Sequence, residues 1–529
     1  MILLFIGAGM DKIVNVLTIA NNWLNNIVWG WPAIIAILFT GILLTVRTRF
    51  LQVRKFDESL KSTIGATFKE MKDGKNKKKK GVSSFEAFAT AISGTVGTGN
   101  IIGVASAILT GGPGAVLWMW ISAFFGMVTN YSENALGLYY RKKDENGGFK
   151  GGAFYYIAYG VKWKWLGYIA AVFTVIAAIG MSGVQTNKIS VTLAETFSQT
   201  DSLVFKLVVG IVVAVLVGVI IIGGIKRISK VASLLVPFMS LIFMVLALVG
   251  IFMNVTAVPR AFKLIFTNAF TYKSAAGGIM GYGLMSVIRK GMARGIFSNE
   301  AGLGSSVIAH CSTENKEPVK QGLWGIFEVF FDTFVVCTLT ALLILTTFDL
   351  DKLNTITSDS GLSISAFSTN FGTFGLICFA IILPLFAFTT IMAWSYYGEK
   401  AVEFAFDWAK PKVQEGMVLA FKILYVLLIV FSAVIESDLV WGISDTANGL
   451  MAIPNLIALI ILSGKVVKIT KNYYDRKKGI LVEPMLSAYP EQNKEFIEYE
   501  KQNTINENPV EEELNAYEES HNAVDEENK

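Results

Sequence analysis

Apolar residues run through this chain in long blocks separated by short polar or basic stretches. A helix needs about 20 mostly apolar residues to cross about 30 Å of hydrocarbon. Eleven blocks approach or exceed that length, near residues 28–46, 85–109, 114–139, 165–194, 204–224, 231–253, 276–309, 319–346, 371–404, 417–435 and 440–463. Two of them are interrupted. Ser93-Gly94-Thr95-Val96-Gly97-Thr98-Gly99-Asn100 breaks the second block, and Phe297-Ser298-Asn299-Glu300-Ala301-Gly302-Leu303-Gly304 breaks the seventh. In a helix facing lipid, a backbone bond left unmade has no water to replace it. Breaks of this kind are tolerated where protein encloses them, and a matched pair in two halves of a chain marks the midplane site of a secondary transporter.

Composition agrees: 53% of residues are hydrophobic and only 16% charged, too apolar for an ordinary soluble domain. The net charge of +5 says less than its distribution. Twelve Lys/Arg stand against four Asp/Glu between Arg47 and Lys80, ending in Lys77-Lys78-Lys79-Lys80. Basic loops stay cytoplasmic, so Arg141–Lys143, Lys226–Lys230 and Lys400–Lys412 are expected on that side. The loops at Glu195–Asp201, Asp349–Asp359 and Glu436–Asp438 then face outward, with Arg260–Lys273 a basic exception. This alternation predicts the N-terminus outside and the C-terminus cytoplasmic. The apolar Met1–Gly9 stretch lacks a basic leader and reads as a short interfacial helix, not a cleaved signal. The tail from 464 turns from basic to acidic and reads as disordered.

Other classes fare poorly. The lysine run has no aromatic interleaving, so membrane retention at anionic headgroups accounts for it better than nucleic acid does. The Gly94–Gly99 stretch lacks the βαβ context of a dinucleotide loop. Cys311, Cys337 and Cys378 lie in apolar segments without metal-ligand spacing, which speaks against a disulfide framework. With only His310 and His521 in the chain, no nucleophile–base pair or metal cluster points to an enzyme. A channel would need rings of ligands along a pore, whereas this chain concentrates its polar groups at one depth.

Residues Ser84–Ala87, Gly94–Ala105, Gly111–Trp120 and Ala293–Gly304 closely resemble the alanine/glycine:cation symporter family, and the likeness extends over residues 28–463. The resemblance implies an all-α integral membrane protein with a leucine-transporter-like fold. Two five-helix inverted repeats, about 85–253 and 276–463, follow one extra N-terminal helix, within a core of 84–463 flanked by segments 1–83 and 464–529. It implies import of alanine or glycine by symport with sodium, by a monomer in the cell membrane. A proton-coupled small amino acid symporter is the alternative, which the absence of a Lys or His in the middle of 231–253 disfavours.

The family also implies roles for particular residues. Thr95, Thr98, Gly99 and Asn100 would meet the substrate, the amides of Thr98 and Gly99 facing its carboxylate. Carbonyls of Ser93 and Val96 would face sodium, with Phe386 and the paired hydroxyls of Thr389 and Thr390 completing the ion site. Phe297 and Ser298 would take the ammonium end through their carbonyls. Gln185 would lie near the substrate, and Trp394, a turn beyond Thr390, would face the Phe297 ring across the side chain. Plainer readings stand beside these. Small residues can serve helix packing alone, and a helical Thr often bonds its own i−4 carbonyl. Glu133, Glu300, Glu328 and Asp332 are intramembrane carboxylates and functional candidates on that ground. Glu328 and Asp332 share a helix face, where they either shape an ion site or pair with Arg289, Lys290 or Arg294.

Overall fold

The computed structural model describes residues 16, 18–65, 82–144, 147–270, 280–353, 355–435 and 437–505. The Met1–Gly9 stretch, the Lys77–Lys80 run and the acidic end after residue 505 lie outside them. The described residues up to Thr470 form one compact unit and those from Lys471 a second.

Almost all of the first unit is helical. Its principal helices are α1 (Thr18–Arg47), α2 (Ser84–Thr95), α3 (Gly99–Gly111), α4 (Ala115–Tyr140), α5 (Lys164–Thr196), α6 (Leu203–Ile221) and α7 (Gly224–Met253). They are followed by α8 (Met280–Asn299), α9 (Ser306–His310), α10 (Pro318–Thr347), α11 (Asp359–Ala405), α12 (Pro411–Ser432) and α13 (Ser437–Lys477). Among the described residues, eight helices are long and apolar enough to cross a bilayer, and α2 with α3, bent by 46°, makes a ninth span. The other two expected spans correspond to α4 and to α8 with α9. Neither reads as strongly apolar, and α4 shows why: every residue from Gly126 to Tyr140 is buried in protein. Facing helices instead of lipid, it can carry Asn130, Ser132, Glu133 and Asn134.

The polar ends of the elements follow local rules. Ser83 caps α2, its hydroxyl accepting from the Glu86 amide while Glu86 accepts from the Ser83 amide, a reciprocal capping box. The loop between α4 and α5 holds a two-stranded antiparallel hairpin, Lys142–Lys143 against Phe149–Lys150. α11 runs 47 residues because two helices meet at Gly372, whose φ of 58° lets the chain turn without a Cβ penalty. The helix therefore begins at Asp359, well before the expected start of that span at 371. Packing sets the breaks in place: Ile92, Val96 and Ile102 share one apolar cluster with Met239 and Phe243 of α7 and Phe386 of α11.

The tail departs from expectation. α13 continues past 463 to Lys477, and a further helix, α14 (Pro490–Ile505), follows. Within this second unit Asn493 Oδ1 accepts the amides of Leu486 and Ser487, and Leu486 and Phe496 are buried. Two apolar anchors and a side-chain cap give residues 471–505 order that their overall polarity does not suggest.

Candidate functional site

The first break begins where α2 runs out of backbone partners. Val96, with ψ 93°, turns the chain out of the helix. In an unbroken helix the amides of Gly97 and Thr98 would donate to the carbonyls of Ser93 and Gly94. Here Gly97 N donates to Asn100 Oδ1 at 2.8 Å and Thr98 N to Gln185 Oε1 at 3.1 Å. Asn100 N turns to the Gly97 carbonyl instead of that of Val96. Three carbonyls, of Ser93, Gly94 and Val96, are thereby released from helical bonding. The chain re-enters a helix through a π turn, Gly99–Gly103. The glycines of the break are required by close approach. A Cβ on Gly97 would collide with the Thr390 hydroxyl, one on Gly94 would lie 2.8 Å from the Tyr397 hydroxyl, and one on Gly99 would lie 3.3 Å from the Phe297 ring.

The second break follows α8. Glu300 adopts a left-handed φ of 56°, unusual for a residue with a Cβ, and Gly302 and Gly304 follow at 91° and 74°. Several bonds fix this path. Glu300 accepts from the Ser305 hydroxyl and from Trp394 Nε1, the latter at 2.9 Å. The amides of Gly302 and Gly304 both donate to Glu133 Oε1 at 3.1 Å, and Asn455 Nδ2 donates to the same oxygen.

One carboxylate holds the two breaks together. Asp332 of α10 accepts from Asn100 Nδ2 in the first break and from the Ser298 hydroxyl, at 2.9 Å, in the second. Thr333 Oγ1 donates to it as well. Asp332, Asn100 and Ser298 are all completely buried. Two hydroxyls at the same level, Thr98 Oγ1 and Tyr397 Oη, are buried with no hydrogen-bond partner. The region thus combines loosened carbonyls, which suit a hard cation, with idle hydroxyls and backbone amides at a helix start, which suit a carboxylate.

The residues singled out in the sequence fall around this point, some with different work. Gln185 reaches the break, but its carbonyl oxygen is engaged by the Thr98 amide, so that amide is turned to Gln185 and not to open space. Asn100 is a clamp between the break and Asp332. The Thr389 and Thr390 hydroxyls both donate to the Phe386 carbonyl, at 2.9 and 3.1 Å, the local helical pattern, and their oxygen lone pairs remain for other use. Thr95 Oγ1 and Ser93 Oγ likewise bond within α2, to Ile92 and Thr90. Trp394 packs edge-on against Tyr397 with centroids 5.4 Å apart. The Phe297 ring stacks at 5.1 Å on Trp441, so the aromatic partner given to Phe297 is not Trp394.

The carboxylates also correct the earlier pairing. Neither Glu328 nor Asp332 meets Arg289, Lys290 or Arg294. Arg294 pairs with Asp445 at 3.1 Å, Arg289 bonds Asn26, and Glu328 Oε2 lies 2.8 Å from His310 Nε2. Arg294 is engaged instead by Asp445 and by the Trp441 ring, 4.6 Å away, while Asp332 is filled by Asn100, Ser298 and Thr333. Sequence reasoning passed over Tyr397 and Trp441. An apolar helical context gives no signal for either, because what distinguishes them is where the fold puts them: Trp441 stacks on Phe297 of α8, and the Tyr397 hydroxyl lies against Gly94 of α2.

Comparison with known proteins places this architecture. Residues 14–486 match the family model described as the sodium:alanine symporter family. An uncharacterized transporter of Haemophilus influenzae is 40% identical over 86% of this chain and 96% of its own length. The sodium/alanine symporter AgcS of Methanococcus maripaludis is 39% identical over 87% of this chain and 97% of its own. Among solved structures, MhsT in complex with L-phenylalanine superposes with a TM-score of 0.52 at 13% identity, covering 73% of this chain and 97% of that one. At that identity the likeness speaks to the fold alone, that of the leucine-transporter class.

Proposed function

The chain belongs to the sodium:alanine symporter family of membrane transporters, and from that premise we propose that it imports alanine or glycine together with sodium. It works as a monomer, with the N-terminus outside and the C-terminus cytoplasmic. The substrate lies between the two breaks. Its carboxylate meets the Gly99 amide and the Thr98 hydroxyl, its ammonium the carbonyls of Phe297 and Ser298, and its side chain the region of Trp394. Sodium takes the released carbonyls of Ser93 and Val96, the Phe386 carbonyl and the oxygens of Thr389 and Thr390, the last brought against Gly97.

The observation that carries this reading is the redirection of the Gly97 and Thr98 amides to side chains. Redirecting them leaves carbonyl oxygens beside Thr390 and beside a buried hydroxyl without a partner, the mixture that a zwitterion and a cation need. Alternating access then consists of moving the helices of the two breaks apart, first on one side and then on the other. Uptake of labelled alanine into proteoliposomes, with sodium and pH gradients imposed separately, tests it. A sodium gradient alone should drive accumulation. Accumulation driven by a pH gradient and indifferent to sodium would assign the coupling to protons.

A further inference from the structure

α7 carries Lys226, Arg227 and Lys230 near its start, all three exposed. No Asp or Glu stands between Asp201 and Glu300, so this part of the chain has no carboxylate of its own to offer them. Arg227 donates to the Val219 carbonyl at 2.6 Å. Lys226 and Lys230 enter no ion pair among the described residues. Further along, the exposed face turns apolar: Leu234 is 72% exposed and Leu241 58%. On a helix that crosses a bilayer, side chains so exposed meet acyl chains. Lys226, Lys230, Leu234, Pro237, Leu241 and Met244 follow one another at spacings of three or four residues, which places them on one stripe of the helix.

That stripe leads from the lysines into a groove of about 350 Å³ between α2, α7 and α10. Its walls include Phe88 and Ile92 of α2, Pro237 and Met244 of α7, and Phe327 and Phe331 of α10. Ser240, on the α7 side, is the one polar residue among those lining it. Exposed Leu241 stands at the groove's edge, so its mouth faces the hydrocarbon. At about 1.5 Å per residue, Pro237 lies about 10 Å and Met244 about 21 Å beyond Lys230 along the helix. A single leaflet, half of a bilayer about 40–45 Å thick with its headgroups, has the same depth. One lipid therefore spans the distance from the lysines to the far end of the groove.

We propose that α7 and its neighbours form a binding site for one anionic phospholipid, its headgroup on Lys226 and Lys230 and an acyl tail in the groove. The leaflet is the one on the lysine side, cytoplasmic in the orientation proposed above. Basic groups at a membrane surface attract anionic lipid, and lysine stems lie along apolar surface while their ammonium groups stay at the interface. The groove adds the shape that a basic surface alone lacks. Because Phe88 and Ile92 precede the first break, the tail lies in the seam between the broken helix and its neighbours.

Native mass spectrometry of the full chain tests this. The purified protein, stripped of lipid in detergent, is mixed with equal amounts of phosphatidylglycerol and phosphatidylcholine bearing the same palmitoyl and oleoyl tails. One lipid should be retained, phosphatidylglycerol over phosphatidylcholine by about fivefold or more. Lys226→Gln with Lys230→Gln should bring that ratio close to one. Ser240→Phe fills the groove and leaves the lysines untouched, so it should cut retention of both lipids by about fivefold or more, as overpacking a filled site costs. Equal retention of the two lipids by the wild type would overturn the proposal. So would a double lysine variant that keeps the wild-type preference, or a folded Ser240→Phe protein that keeps wild-type retention. The lysine variant alters exposed side chains only, so its result stands whether or not Ser240→Phe folds.

Discussion

Thr389 and Thr390 illustrate how much a single residue's context decides. Each hydroxyl donates to the Phe386 carbonyl, which orients its oxygen and leaves lone pairs free. In the proposed ion site a sodium would use those oxygens, which the helix itself does not require. Thr389→Val with Thr390→Val keeps the shape, and sodium stimulation of alanine uptake should be lost while the protein still purifies as a monodisperse species. Retained wild-type sodium dependence would move the ion elsewhere. Trp394 carries two duties at once, a ring against Tyr397 and an N–H to Glu300. Trp394→Ala should admit serine, valine or leucine as competitors of labelled alanine, because overpacking a filled pocket typically costs about 1–3 kcal/mol and so discriminates about 5- to 150-fold. An unchanged rank order of competitors would sink that pocket assignment. Asn100 was legible from its polarity in apolar surroundings, and Gln185 and the paired threonines from the family resemblance. Their partners were not, since Thr98 to Gln185 and Asn100 to Asp332 join positions far apart in the chain.

At the level of elements, the breaks were readable because glycine and polar residues disagree so plainly with a lipid-facing helix. The Gly372 turn inside α11 and the helix after 464 were not, since neither interrupts an apolar run in a way that composition registers. The glycines themselves divide by surroundings, and this gives a paired test. Gly97→Ala would drive a methyl group into the Thr390 hydroxyl and to 3.2 Å from Gln185 Oε1. Gly103, in the neighbouring π turn, has nothing within 4 Å of an added Cβ. Sodium-driven uptake should fall at least tenfold in Gly97→Ala and stay near wild type in Gly103→Ala, measured as initial rates at equal amounts of reconstituted protein. Equal losses in both would show that the glycines serve flexibility and not close approach.

At the scale of the whole molecule, two inter-helix ion pairs meet at one tryptophan. Trp441 of α13 stacks on Phe297, lies 4.6 Å from the Arg294 guanidinium and 5.2 Å from Lys188 Nζ. Arg294 pairs with Asp445 and Lys188 with Asp359, at 3.1 and 3.0 Å, so α8 is tied to α13 and α5 to α11. In the orientation proposed from the basic loops, both pairs lie on the outer side of the breaks. Removing one partner of a largely buried pair leaves the other charge uncompensated, a greater loss than removing both. Arg294→Gln and Asp445→Asn should therefore each slow alanine exchange across the liposome membrane, and the double variant should be less impaired than the two losses combined. Simple additivity would mean that the pair plays no part in closing that side.

Asp332 has a consequence for the fidelity of coupling. Because the same carboxylate grips Asn100 and Ser298, neither break can swing free without surrendering a bond that the other still shares. Under the proposed sodium coupling, an empty or half-loaded carrier would give up such a bond in either direction, which would suppress slippage, the passage of ion without amino acid. Asp332→Asn presents an amide nitrogen where one of the hydroxyl or amide donors must point, so one grip is lost. Such a protein should leak: sodium flux into liposomes in the absence of any amino acid, negligible in the wild type, should become measurable by tracer, and the ratio of ion to alanine transported should drift above its wild-type value.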